Sequence, residues 1–229
     1  MSPTKSRISA GKSDTRRLVV GISGASGAIY GIRMLEALRA AGIETHLVMS
    51  KSAEMTIAYE TDLKAADVRK LADIVYPAAD VGAAIASGSF QTLGMVIAPC
   101  SIRSMSEIAT GVTSSLLTRA ADVTLKERRR LVLMLRETPL HTGHLRSMLA
   151  LSEMGAVIAP PVPAFYARPA SVAALVDHTI GRILDLFGIE SGLVRRWGED
   201  EPASRTSHRL KGRKKIGGRK KIRARNPTR

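Results

Sequence analysis

The sequence predicts an α/β fold: a single doubly wound, mostly parallel sheet with helices on both faces, plus disordered termini. Three observations predict it. Short apolar, β-branched runs alternate with longer helix-prone stretches, the signature of strand–helix–strand units. The first run, Leu18-Val19-Val20-Gly21-Ile22, enters a turn with glycines at every third position, Gly21, Gly24 and Gly27, as a buried strand does before a tight turn and a helix. The chain has 229 residues, 45% of them hydrophobic, enough for one good core. The expected architecture is Rossmann/flavodoxin-like, in which ligands bind beyond the C-terminal ends of the strands.

Residues 1–16 are rich in Ser, Thr, Lys and Arg without apolar periodicity and read as a disordered leader. After the glycine turn, 28–41 reads as a helix with Gly42 at its C-terminal cap, and Thr45–Met49 as a strand. Lys51–Thr61 reads as a helix carrying Glu60 near its end. Residues 64–90 are ambiguous, with a short helix at 65–73. Leu93–Ala98 is a second buried strand that Pro99-Cys100-Ser101 should end sharply, with a helix following through Met105 and Ile108. Residues 122–130 form a charged run before the strand Leu131–Leu135. Residues 141–154 read as a helix and 156–159 as a strand, and Pro160, Pro161 and Pro163 force a loop. Ser171 caps a last helix to Phe187, with Val172, Leu175, Val176, Ile180, Ile183 and Leu184 on one stripe.

Charge is distributed unevenly. The formal net charge is +15, but residues from 203 onward hold twelve of the 35 Lys/Arg and no acid, leaving 23 bases against 20 acids in the rest. The chain therefore divides into a leader (1–16), a nearly neutral folded domain (17–199) and a basic, disordered tail (203–229). The tail has no aromatic side chain for base stacking, so it suits non-specific contact with polyanions and no specific nucleic acid. No apolar run reaches the roughly 18–20 residues that span a bilayer, and no signal-peptide core follows the start, so the protein is expected to stay in the cytoplasm. Cys100 is the lone cysteine, which excludes an internal disulfide and reads as a small core residue.

The turn itself narrows the ligand. It has no Gly-Lys-Ser/Thr and so is no P-loop, and its G-x-x-G-x-x-G spacing is not the dinucleotide pattern. The second strand ends in Ser50, where an NAD site places an acid for the ribose. A mononucleotide such as FMN fits better, although the same glycines also suit helix–strand packing alone. His141 and His144 have the spacing of a metal pair but no third ligand nearby, so no metal is expected.

Taken together, the motifs resemble the UbiX-type flavin prenyltransferases over about residues 17–199. They are Gly21-Ile22-Ser23-Gly24-Ala25-Ser26-Gly27, Met49-Ser50-Lys51, Glu60-Thr61-Asp62, Ala86-Ser87-Gly88-Ser89 and Pro99-Cys100-Ser101. Ala120-Ala121-Asp122-Val123, Leu125-Lys126-Glu127-Arg128-Arg129, Arg136-Glu137-Thr138-Pro139, Pro163-Ala164-Phe165-Tyr166 and Arg196-Trp197-Gly198 follow in order. The resemblance implies transfer of a dimethylallyl group from dimethylallyl monophosphate to N5 and C6 of reduced FMN, without metal. The product, prenylated FMN, would serve a UbiD-type decarboxylase, and the enzyme would be a homo-oligomer, a dodecamer.

Carried over residue by residue, the resemblance implies that Gly24, Ala25, Ser26, Ser50, Ser101, Ile102, Arg103, Ser104 and Arg136 bind FMN. Arg119, Lys126, Tyr166, Arg182 and Trp197 would form the prenyl-phosphate site. Ser26 and Glu60 would manage protons, Glu137 would assist phosphate departure, and Lys126 would act on the leaving phosphate. Elementary chemistry agrees, since breaking an allylic C–O bond develops negative charge on phosphate and positive charge on carbon. Fixed cations stabilise the first and π-faces the second. The chain differs from the family in having Ile102-Arg103 in the flavin turn, Ser114-Ser115 where many members have Asn or Asp, and no Trp in 78–90. An FMN-dependent Cys-decarboxylase is the competing enzyme reading, but its catalytic His after the first helix and its Pro-x-Met-Asn loop are missing. A non-catalytic flavin-binding scaffold is the remaining alternative, and Glu60, Lys126, Glu137 and Arg182 argue against it.

Overall fold

A computed structural model describes residues 16–196 of the chain. The leader up to residue 15, Trp197 and the 203–229 tail lie outside the described residues. Six strands, β1 (Arg17–Ile22), β2 (Glu44–Met49), β3 (Ile74–Tyr76), β4 (Gly94–Cys100), β5 (Arg130–Leu135) and β6 (Val157–Ile158), form one sheet in the order β3-β2-β1-β4-β5-β6. Every pairing is parallel. This is the Rossmann order, and its direction reverses between β1 and β4, where a crevice opens beyond the strand ends.

Helices cover both faces. α1 (Ala28–Ala40) and α7 (Val172–Asp185) pack on one, with Ile32, Leu35, Ile180 and Leu184 meeting Val20, Leu47 and Val96. α4 (Ile102–Ala109), α5 (Leu116–Lys126) and α6 (Thr142–Glu153) cover the other, where Met105, Leu117, Ala121 and Leu151 meet Met95, Ile97 and Leu133. Two-sided burial explains why β1, β4 and β5 read as nearly continuous apolar runs. α2 (Lys51–Glu60) and α3 (Ala65–Arg69) link β2 to β3.

Local sequence accounts for most boundaries. α1 stops because Gly42 (φ +67) adopts a left-handed conformation, and Ile43 N–H donates back to Leu38 O at 3.0 Å, closing a Schellman turn. Ser50, Ser101, Ser115 and Ser171 each accept a first-turn backbone N–H and start α2, α4, α5 and α7.

Several expectations need correction. The charged run is largely the end of α5, whose Leu116, Leu117, Ala120, Ala121 and Val123 face the core while Arg119, Asp122 and Lys126 face outward. β4 continues through Pro99 to Cys100 across a cis Ala98–Pro99 peptide instead of ending before it. The ambiguous 64–90 segment holds an edge strand, β3, and its helix stops at Arg69. Val172 is exposed because it lies in the first turn of α7, ahead of the buried stripe.

Candidate active site

The β1–α1 turn sits at the switch point and is stitched to β4 by Ser23. Its buried hydroxyl donates to Pro99 O at 2.8 Å and accepts Ser101 N–H at 2.7 Å, while Ser23 N–H also donates to Pro99 O at 3.2 Å. Sequence reasoning gave Ser23 no role. The only available signal was a small polar residue directly after a buried strand. Gly24 has to be glycine because a Cβ there would lie 2.3 Å from Ser52 Cβ, so the turn presses directly on the start of α2. Gly27 takes φ +98, a conformation open to glycine, and hands the chain to α1.

The N-terminus of α1 already faces an anion. Glu60, the last residue of α2, accepts the N–H groups of Gly27 and Ala28 on Oε2 at 2.8 and 2.9 Å. Burial pushes its carboxyl up, but the Ser26 hydroxyl, the Ala28 and Gly27 amides and the Arg136 charge outweigh that and hold it below the usual glutamate range. Glu60 is therefore a carboxylate at neutral pH, an acceptor and base before it is an acid. Arg136 follows β5 directly, with its N–H on Cys100 O at 3.1 Å. Its charge also reaches Tyr30, whose phenol burial pushes up.

A second helix N-terminus remains available. In α4, Ser101 Oγ takes Ser104 N–H at 3.2 Å and Ser101 O takes Met105 N–H at 2.9 Å. The N–H groups of Ile102 and Arg103 have no acceptor among the described residues, an arrangement suited to a phosphate monoester. The Arg103 side chain turns away, its Nε donating to Glu107 Oε1 at 2.8 Å, so the added cation leaves the turn clear. Ser50 ties β2 to β1 through its N–H on Ile22 O at 3.0 Å. The fold thus gathers Gly24, Ala25, Ser26, Ser50, Glu60, Ser101–Ser104 and Arg136 at one edge. Glu137 follows there, exposed, with its carboxylate on Thr138 N–H at 3.0 Å.

The remaining site residues are not gathered with them. Lys126 ends α5 and pairs with Glu127 three residues before β5 begins, at the N-terminal edge of the sheet. The six residues of β5 separate the two edges by about 20 Å. Arg182, near the end of α7, pairs with Asp185 at 2.6 Å. Asp185 shares a hollow with Leu93 and Arg128–Arg130, which precede β4 and β5 or begin β5, so it too lies at the N-terminal edge. Arg119, one turn into α5, pairs with Asp122 at 2.7 Å. Tyr166 lies in a short helical turn, Phe165–Ala167, before α7. Trp197 lies outside the described residues.

Other candidates have structural roles. Cys100 is fully buried, which pushes its thiol up to about 12, so it is inert core. His141 Nδ1 accepts Gly143 N–H at 3.0 Å as the cap of α6.

Comparison with known proteins adds to this geometry. The chain matches the Flavoprotein family over residues 6–186. It is 57% identical over 185 residues to the flavin prenyltransferase UbiX of Thauera aromatica, covering 81% of this chain and 95% of that one. Among solved structures, AnUbiX in complex with FMN and dimethylallyl pyrophosphate superposes with a TM-score of 0.80 at 52% identity, covering 81% of this chain and 99% of that one. A dodecameric FMN-dependent UbiX-like decarboxylase from Escherichia coli O157:H7 superposes with a TM-score of 0.77 at 51% identity, covering 79% and 98%.

Proposed function

Since the chain belongs to the Flavoprotein family and, within it, to the UbiX flavin prenyltransferases, we propose that it joins a dimethylallyl group to N5 and then C6 of reduced FMN, with dimethylallyl monophosphate as donor. The donor's carbon–oxygen bond breaks as the carbon–nitrogen bond forms, and inorganic phosphate and the N5 proton leave. Protonation of the allyl carbon–carbon double bond then lets its tertiary carbon bond to C6, and the C6 proton leaves. Prenylated FMN then passes to a UbiD-type decarboxylase. The reaction is cytoplasmic, within a domain spanning 17–199.

The observation that carries this reading is the Glu60 carboxylate, fixed by Ser26 and two helix amides beside Arg136, across the crevice from the open N-terminus of α4. FMN fits these residues. Its phosphate would suit the Ile102 and Arg103 amides with Arg136, and Gly24–Ser26 would hold the rest of the molecule. FMN supplies the nucleophilic nitrogen and carbon. Ser26 and Glu60 would accept the N5 proton, deliver it to the allyl double bond and take the C6 proton. Fixed dipoles keep Glu60 in the ionised form that can take up a proton.

The leaving phosphate needs cations, and Lys126, Arg119 and Arg182 with Tyr166 fill that role, with Glu137 assisting departure and Trp197 shaping the allyl surround. Because one chain holds Glu60 and Lys126 at opposite edges of its sheet, a second copy completes the site. Exposed apolar side chains such as Tyr59 (83%) and Phe165 (73%) support a homo-oligomer, and the dodecameric relative sets the expected size.

The solved AnUbiX complex holds the pyrophosphate, so the donor test has two arms. Reduced FMN is incubated with dimethylallyl monophosphate or diphosphate, with and without EDTA, and the flavin is weighed by mass spectrometry. The monophosphate arm should yield the prenylated flavin in EDTA. Product from the diphosphate arm alone would overturn the donor assignment, and no product in either arm would overturn the function.

A further inference from the structure

We propose that His178 is a positioning residue for the prenyl-phosphate subsite, its ring setting the orientation of Tyr166; this rests on the reading above that Tyr166 and Arg182 hold the donor phosphate. His178 sits in the middle of α7 and is only 4% exposed. Neither Nδ1 nor Nε2 has a hydrogen-bond partner among the described residues. A neutral imidazole presents one donor and one acceptor, so burying both unpaired is a cost that leucine would avoid. It points away from the aliphatic stripe of Val176, Ile180, Ile183 and Leu184, and its neighbours on the helix surface are Ala174, Leu175, Gly181 and Arg182.

What histidine has and leucine lacks is a flat ring. The ring centroids of His178 and Tyr166 are 5.4 Å apart and their planes meet at 85°. Edge-to-face contact is attractive and directional, so it fixes an angle as well as filling space. That contact reaches Tyr166. The tyrosine is 48% exposed and lies in a three-residue helical turn within the connection from β6 to α7. The anchor is on a rigid helix, where a side chain is positioned more sharply than on a loop. Arg182 lies one turn further along the same helix, held by Asp185. α7 therefore carries the guanidinium directly and the phenol indirectly, and so sets the spacing between the two groups.

The test uses the full-length chain at saturating reduced FMN, with the prenyl donor varied. His178→Leu should raise donor KM about three- to tenfold, with the FMN dissociation constant and the thermal midpoint near wild type. His178→Phe, which keeps a ring without nitrogens, should restore donor KM to near wild type, whereas His178→Gln should not. In a Tyr166→Ala background, His178→Leu should add nothing. If Tyr166→Ala alone leaves donor KM unchanged, the phosphate-site reading falls and this inference with it. If Tyr166→Ala raises donor KM and His178→Leu does not, the inference alone falls. Rescue by Gln and not Phe, or additive effects in the double variant, would also overturn it. Should His178→Leu fail to fold, the Phe and Gln variants decide by themselves.

Discussion

Two side chains at the switch point test opposite properties of the site. Glu60→Gln keeps the two amide contacts to Gly27 and Ala28 but cannot cycle a proton. Titration should show FMN binding near wild type, while product formation, followed by mass spectrometry, falls by about 10²–10⁴. The same variant has a pH signature. Glu60 is held below its ordinary range when folded, so its stabilisation is present above the unfolded value and is lost as pH falls through the folded one. The melting-temperature gap between wild type and Glu60→Gln should therefore be largest near neutrality and close in acid. A gap that widened in acid would contradict the ionised carboxylate. Ser23→Ala acts differently, because it leaves the half-buried Ser101 N–H without its 2.7 Å acceptor. Denaturant unfolding should show a loss of about 1–3 kcal/mol, with weaker FMN binding as the start of α4 shifts.

The contact between the first turn and α2 is a property of elements. A Cβ on Gly24 would overlap Ser52, so Gly24→Ala should push α2 away and carry Glu60 off the α1 amides. Both FMN affinity and product formation should then fall, unlike the split expected for Glu60→Gln, and a calorimetric titration beside the turnover assay reads the difference. Elements also show what could be read in advance. β1, β4 and β5 were legible because burial on both faces makes them nearly unbroken apolar runs, β2 by its apolar end Leu47–Met49, and α7 because Ser171 caps a clear stripe. β3 was not, since three edge residues with Ile74 and Val75 exposed leave almost no pattern. α5 was obscured by the charges of its outer face, although Leu116, Leu117, Ala120, Ala121 and Val123 carry the helical period beneath them. At the site, residues that directly follow strands were legible because the fold itself aims them. The Ser23 stitch was not, because it joins residues 78 apart and exists only once β1 and β4 are known neighbours.

The whole molecule decides the last two questions, one about charge and one about assembly. The 203–229 tail carries twelve cations and no acid, so its removal should leave FMN binding and turnover intact while reducing retention on heparin at low salt. Lost turnover in the truncated protein would place the tail in the active site or the assembly. Assembly bears on the catalytic geometry itself. Helix direction puts Lys126 and Arg182 at the N-terminal edge of the sheet, while Glu60, Ser26 and Arg136 lie at the C-terminal edge. A site needing both edges has to form where one copy's top meets another's bottom, a head-to-tail contact that closes into rings. Glu60→Gln and Lys126→Ala should each lower turnover by orders of magnitude in a homogeneous assembly. When the two are unfolded, mixed equally and reassembled, about a quarter of the junctions pair an intact Glu60 with an intact Lys126. Activity should return to about that fraction of a wild-type sample treated identically. If each chain built its site alone, every chain in the mixture would still carry one lesion, and the mixture would stay as inactive as its parts.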